Sequence, residues 1–178
     1  MPSYYTYLIS SLPALSFGAK PPFSLDDFFD TCSQVISKAD MEKVREAVDI
    51  PDYRLKEKDA GVLKEWHIFN FSLRNELARA RSGRKKADPL RYTRSDINTF
   101  SASVAHTAMS AYRNLNILDA ERSLDSERWR FLDEASLGHY FDVDSLITYA
   151  LKLKILVRWD KIDNADREKL LKEALAGN

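Results

Sequence analysis

Eight basic side chains crowd one stretch of this sequence: Arg74, Arg79, Arg81, Arg84, Lys85, Lys86, Arg91 and Arg94, opposed locally by Glu76 and Asp88. Such a patch can bind phosphates by charge. It can equally meet an acidic protein surface, or lie in water at a helix end whose dipole favours cations. The solvated helix end is the default. Arg81, Arg84, Lys85 and Lys86 are the members singled out for a partner. Other chemistry is thin. The three histidines, His67, His106 and His139, stand far apart and belong to no metal-binding spacing. Asp142 and Asp144 could be imagined as metal ligands, but Asp142 is better explained as a helix N-cap. Asp26 and Asp27 could be an acidic catalytic pair, but they too stand where a cap and a helix dipole want carboxylates. Cys32 has no basic neighbour close in sequence to activate it, so a quiet core thiol is expected. None of the five glycines forms a nucleotide-binding loop. No catalytic residue, metal or cofactor is therefore expected, and the protein is not read as an enzyme.

The composition sets the frame for these groups. Hydrophobic residues make up 44% of the 178, enough for a core, and acidic and basic residues balance at 27 each. The global charge thus implies neither nucleic acid nor membrane as partner; a local patch would have to. One cysteine excludes an internal disulfide and suits a reducing compartment. No window reaches 18 uninterrupted apolar residues, so no transmembrane span is expected. The N-terminus is uncharged in its side chains until Lys20, yet it lacks a basic leader region and Pro13 breaks its apolar run. A packed N-terminal segment is expected there rather than a signal peptide.

Helices must position the chemistry. Residues 4–9 (YYTYLI) suit a short strand or extended segment as well as a helix. Ser24 as N-cap, Asp27 as its capping-box partner, and Phe23 with Phe28 as a hydrophobic staple mark the first clear helix. Ser37 to Asp40 repeats the cap pattern for a second helix through Val48. A long helix is expected over 59–81, with Val62, Trp66, Phe69, Leu73, Leu77 and Ala80 as its apolar stripe and Gly83 ending it. Residues 95–113 follow, with small faces at Ala102, Ala105, Ala108 and Ala111. Leu118 to Leu137 comes next, grouping Leu124, Phe131, Leu132 and Ala135. Arg128 falls inside that apolar face; the expected arrangement is a stem along the core edge with its guanidinium in water, ahead of a buried ion pair.

The last long helix, 142–160, sorts Leu146, Tyr149, Ala150, Leu153, Leu156 and Val157 onto one side. Asp144, Ser145, Thr148 and Lys152 fall opposite, interrupted by Ile155 and Trp159. That pair is either covered by another segment, with the C-terminal helix after Asn164 as nearest candidate, or forms a docking spot for a partner. Shifting by 84 positions sets Val62 on Leu146, Leu63 on Ile147, Phe69 on Leu153, Phe71 on Ile155 and Leu73 on Val157. A repeated helical unit would explain this, as would the chance likeness of two amphipathic helices. The expected fold is all-α: one compact multi-helix bundle over 1–178 with two long core helices and a short extended N-terminal segment. Candidate subdomains are 1–88 and 89–178.

Two stretches carry a resemblance. YYTYLISSLPALSFGAKPPFSLDDF and ERWRFLDEASLGHYFDVDSLITYALKLKILVRW resemble an uncharacterised bacterial family whose genes sit in V-type ATPase operons. LITYALKLKILVRW also resembles the helices of the funnel-shaped V-type ATPase component, of C or d type, that joins the rotary stalk to the membrane ring. The resemblance implies a non-catalytic cytoplasmic accessory, assembly or stalk-associated protein, peripheral to the membrane through that complex and acting through contact with ATPase subunits. The chain is about half as long as the funnel-shaped component, which argues for an accessory role over replacement of it. The alternative is a helical nucleic-acid-binding module using the basic 74–94 patch.

Overall fold

The computed structural model describes residues 4–49, 61–85, 88, 91–93 and 102–176, and for 84, 85 and 166–176 the backbone alone. All regular structure among them is helical: α1 (Thr6–Ser11), α2 (Leu25–Ser33), α3 (Lys38–Val48), α4 (Gly61–Lys85), α5 (Ala102–Arg113), α6 (Ile117–Ala135) and α7 (Val143–Ala176). The chain divides into two compact units, Met1–Asp49 with His139–Asn178, and Ile50–Gly138. Compactness thus divides the chain near residues 49 and 138, and not at 88.

In the first unit, local signals start α2 and α3 where the sequence puts them. Residues 6–11 take the helical option, and Leu12 then leaves α1 in extended conformation. Ser24 Oγ accepts from the Asp27 amide at 3.1 Å while Asp27 Oδ2 accepts from the Ser24 amide, closing the capping box. Phe23 stacks on Phe28 as the staple requires, with centroids 6.4 Å apart. A cap of this kind contributes about 1 kcal/mol. Ser37 Oγ likewise accepts from the Asp40 amide, but the Ser37 amide donates to the Tyr5 hydroxyl, which itself donates to Asp40 Oδ2 at 2.7 Å. Tyr5 in turn donates its amide to the Phe141 carbonyl, tying the N-terminal segment to the approach of α7.

α2 and α3 pack against α7. Tyr149 of α7 stacks on Phe28 at 5.3 Å and on Phe23 at 6.3 Å, and its hydroxyl donates to the Pro13 carbonyl. Lys154 donates from Nζ to the Val48 carbonyl at 2.6 Å, satisfying an acceptor at the end of α3. Burial holds the Lys154 ammonium below its ordinary pKa, with Asp49 acting against that shift. Leu146, Ile147, Ala150, Leu151, Leu153 and Leu156 are all buried, so α7 is enclosed nearly all round over this stretch. Thr148, placed on the polar side by the helical wheel, is buried too, and its hydroxyl has no partner. Beyond Asp160 the helix continues without interruption to Ala176. No Gly or Pro lies between Val143 and Ala176, and Asn164 and Asp166 lower helix propensity without ending a helix. The separate C-terminal helix expected after Asn164 is therefore the distal half of α7.

The second unit joins α4, α5 and α6. Phe69 and Leu73 of α4, Val104, Ala108 and Ala111 of α5, and Leu124 of α6 form its core, flanked by Trp66, Leu77, Ala120 and Phe131. The small side chains at 108 and 111 let α5 approach α4 closely, while Phe69 stacks on Phe131 of α6 at 4.3 Å. Gly83 lies inside α4, contrary to the expected stop; glycine costs a helix about 1 kcal/mol relative to alanine and does not forbid its dihedrals. Gly138, with φ +90°, is where the chain turns after α6, a conformation that a side chain strongly disfavours. The α5–α6 turn is set by Asn116, which caps α6 by accepting from the amides of Leu118 and Asp119. At the offset of 84, Val62, Leu63, Phe69 and Phe71 are buried like their counterparts Leu146, Ile147, Leu153 and Ile155.

Candidate functional site

One feature with chemistry in it is a cleft of about 570 Å³ in the second unit. Helical spacing builds it. Phe71, Arg74, Asn75, Ala78 and Arg81 fall at i, i+3, i+4, i+7 and i+10 of α4, and so share one face. Glu121, Leu124 and Arg128 fall at i, i+3 and i+7 of α6, and Leu77 and Tyr92 complete the lining. Apolar side chains make part of the wall, with three guanidinium groups and one carboxylate among them.

Arg128 departs from the arrangement expected of it. Its Nη1 donates to Asp125 Oδ1 at 2.7 Å and its Nε to Asn70 Oδ1 at 3.2 Å. The Asp125 side chain is only 2% exposed and that of Arg128 19%, so this is a largely buried ion pair and not a stem with its head in water. The reason is tertiary: α4 brings Asn70, held by its own bond to the Trp66 carbonyl, against α6, and Asp125 one turn away supplies the counter-charge. Arg128 is thereby fixed in the cleft wall. Arg81 is exposed and has no hydrogen-bond or ion-pair partner among the described residues.

Behind the cleft, α5 and α6 share a second polar cluster. Ser103 Oγ donates to Glu127 Oε1 at 2.8 Å, and Arg130 bonds Ser103, Glu127 and Glu134. Burial alone would raise the Glu127 carboxyl, but hydrogen bonds from Arg130 and Ser103, the Arg130 charge and a bond from Thr107 outweigh it and hold the pKa low. The bond to Glu127 correspondingly raises Arg130.

The sequence-selected residues divide among several places. Of the basic stretch, Arg74 and Arg81 line the cleft, while Arg79 points to Glu76. Arg84 and Lys85 belong to the last turn of α4, with side chains outside the described residues; Lys86 and Arg94 lie outside them altogether. Ile155 and Trp159 are 6% and 7% exposed. The docking spot that an exposed pair would have offered is absent, because α7 is enclosed on that side as well. The C-terminal residues do not fold back to cover them, since they continue the same helix. Asn75, Glu121 and Tyr92 join the site through the structure alone. The i, i+3, i+7 spacing of 121, 124 and 128 is legible in the sequence, but pairing that face with the Arg74–Arg81 face needs the packing of α6 on α4.

Several other titratable groups are accounted for locally. Asp142 caps α7, accepting from the Ser145 amide at 3.0 Å, and its other oxygen lies 2.6 Å from His139 Nδ1. Asp144 Oδ2 stands 3.6 Å from the same nitrogen. The three could each offer a ligand atom to a cation, but the positive end of α7 favours the carboxylates and works against a cation. Asp26 and Asp27 serve the α2 cap, and hydrogen bonds from Ser24 lower Asp27. Cys32 is fully buried, which pushes its thiol up to about 11, the opposite of an activated nucleophile. No helix among the described residues is long and apolar enough to cross a membrane.

A family model described as a protein of unknown function (DUF2764) matches residues 103–176, less than half of the chain. The match begins in α5 and takes in α6 and α7. No curated protein and no solved structure matches.

Proposed function

We propose that the protein is a non-catalytic accessory or assembly component of a bacterial V-type ATPase, acting through contact with its subunits. The partner comes from the resemblance of the two quoted stretches to proteins of V-type ATPase operons. The second stretch, 127–159, lies within the segment similar to the family of unknown function. The observation that carries a contact role is the turn between α5 and α6. Leu115 is 100% exposed there and Ile117 78%, with Leu118 and Met109 exposed beside them. The unit's core is filled by other residues, and Leu115 and Ile117 add little to its packing. Apolar groups gathered at one hairpin tip are a usual mark of a protein-binding surface.

Affinity capture from the native host tests this. The tagged wild type should retain ATPase subunits, identified by mass spectrometry. Leu115→Asp combined with Ile117→Asp should lose them while keeping the helical circular dichroism of the wild type. Wild-type protein that retains no ATPase subunit would overturn the assignment. Retention by the folded double variant would move the contact away from the hairpin.

A further inference from the structure

The cleft between α4 and α6 stands close to that hairpin. Glu121 in its wall is one helical turn beyond Leu118, so the apolar tip runs into a charged groove on the same helix. We infer that the cleft lined by Arg74, Arg81 and Arg128 binds an acidic peptide segment of a partner protein. This rests on the reading of the protein as one that works by contact, and it names the chemistry of what is contacted.

Three features select a peptide over a compact anion or a nucleic acid. Arg74 and Arg81 are seven residues apart on α4, about 10 Å along its axis at 1.5 Å per residue. Guanidinium groups spread along a groove suit several separate carboxylates, each met by a planar fork. A single phosphate would instead want donors converging on one point. Phosphate cradles commonly use free backbone N–H groups at helix N-termini. Here the helical lining begins after the first turns of α4 and α6, so its own backbone N–H groups are used within the helices. The third feature is the apolar part of the lining, which a phosphate does not use. Phe71, Leu77 and Leu124 give the stems and backbone of such a segment an apolar wall. Arg128, held by Asp125 and Asn70, presents its remaining donors without the entropy cost of a free side chain. The volume suits a short segment and falls within roughly 300–1,000 Å³, the range of clefts that take ligands.

Fluorescence anisotropy with the full chain and a labelled octaglutamate peptide tests the inference. Saturable binding is expected, weakened about tenfold or more by Arg81→Glu, as reversing a charge that faces a ligand does. Arg81→Gln should show a smaller loss, and circular dichroism should show both variants folded, since Arg81 is exposed. Arg79→Glu is the control for general charge, because Arg79 points to Glu76 outside the cleft; its binding should stay within about twofold of wild type. Equal weakening by Arg79→Glu, or none by Arg81→Glu, would overturn the cleft as the site. Displacement of the peptide by an oligothymidylate of equal charge, at lower concentration than unlabelled octaglutamate requires, would make nucleic acid the ligand and overturn the inference. The two proposals fail separately. Loss of octaglutamate binding in Arg81→Glu without ATPase capture by wild type would leave the cleft and remove the ATPase. Capture that survives Arg81→Glu, with unchanged octaglutamate binding, would remove the cleft alone.

Discussion

The two units solve the same problem, a long helix with shorter ones against it, with different materials. Around α7 the interior is aromatic and aliphatic, and polar groups act mostly at helix ends: Ser24 with Asp27, Ser37 with Asp40, Asp142 with Ser145, and Lys154 on Val48. Around α4 the polar groups move inward. Among the described residues that are polar or charged and buried, Ser72, Asn75, Ser82, Asp125 and Glu127 belong to the second unit, and only Thr148 to the first. Buried charge is costly unless paired, so a unit that carries it gains fixed donors and acceptors at the expense of packing energy. The cleft is found in that unit, with Arg128 and Asn75 in its wall. On the proposals above, recognition falls to the second unit.

The largest effects should come where the units are alike. Leu73 and Leu153 are both fully buried, one in each long helix. Leu73→Ala and Leu153→Ala should each cost about 2–5 kcal/mol in denaturant unfolding. A small loss at Leu153 would break the description of α7 as enclosed nearly all round.

The next effect separates the units. Asp125→Ala leaves the Arg128 charge half-stranded and should cost about 3 kcal/mol. Asp125→Leu with Arg128→Met should recover most of that, since an apolar pair of similar volume replaces a buried ion pair at little cost. The double variant should still lose octaglutamate binding, and that contrast between stability and binding is what the comparison predicts.

Those two tests rest on unequal foundations in the sequence. The caps at Ser24 and Ser37 are legible because a cap is complete within four residues. The stripes of α4 are legible because its period is 3.6 and its core lies on one side. Arg128 misleads, since its partner Asn70 is far away in sequence and only packing brings it near. Thr148, Ile155 and Trp159 share a common cause. A helical wheel shows which side is apolar, and it cannot show that the opposite side is covered as well. The cleft falls between these cases: half of its wall is visible as a basic stretch, and the other half needs α6.

A smaller effect should appear in acid. Glu127 has its pKa depressed in the folded state, so it contributes stability that is present above the unfolded value of about 4.3 and lost as pH falls through the lower folded value. Glu127→Gln should flatten that part of the stability profile, measured by urea unfolding at successive pH values below about 5. An unchanged acid profile would show that the Ser103–Glu127–Arg130 cluster adds nothing to the second unit.

The smallest effect should be a gain. Thr148→Val keeps the shape of the side chain and removes a buried hydroxyl that has no partner, so stability should rise by about 1 kcal/mol. A loss there would mean that the hydroxyl is satisfied after all, and would weaken the contrast between an apolar first unit and a polar second one.

The division of the chain has a consequence for how the protein is made. The first unit is discontinuous: α1 to α3 must wait for α7, and the whole of the second unit is synthesised between them. On the ribosome, α4, α5 and α6 can therefore assemble first, from contacts between neighbours in sequence, while Phe28, Cys32 and Val44 remain uncovered by their late partner. During that interval the nascent chain shows an apolar surface that the finished molecule hides. A truncation before Val143 should thus leave the second unit able to fold and the first a ready target for chaperones and proteases.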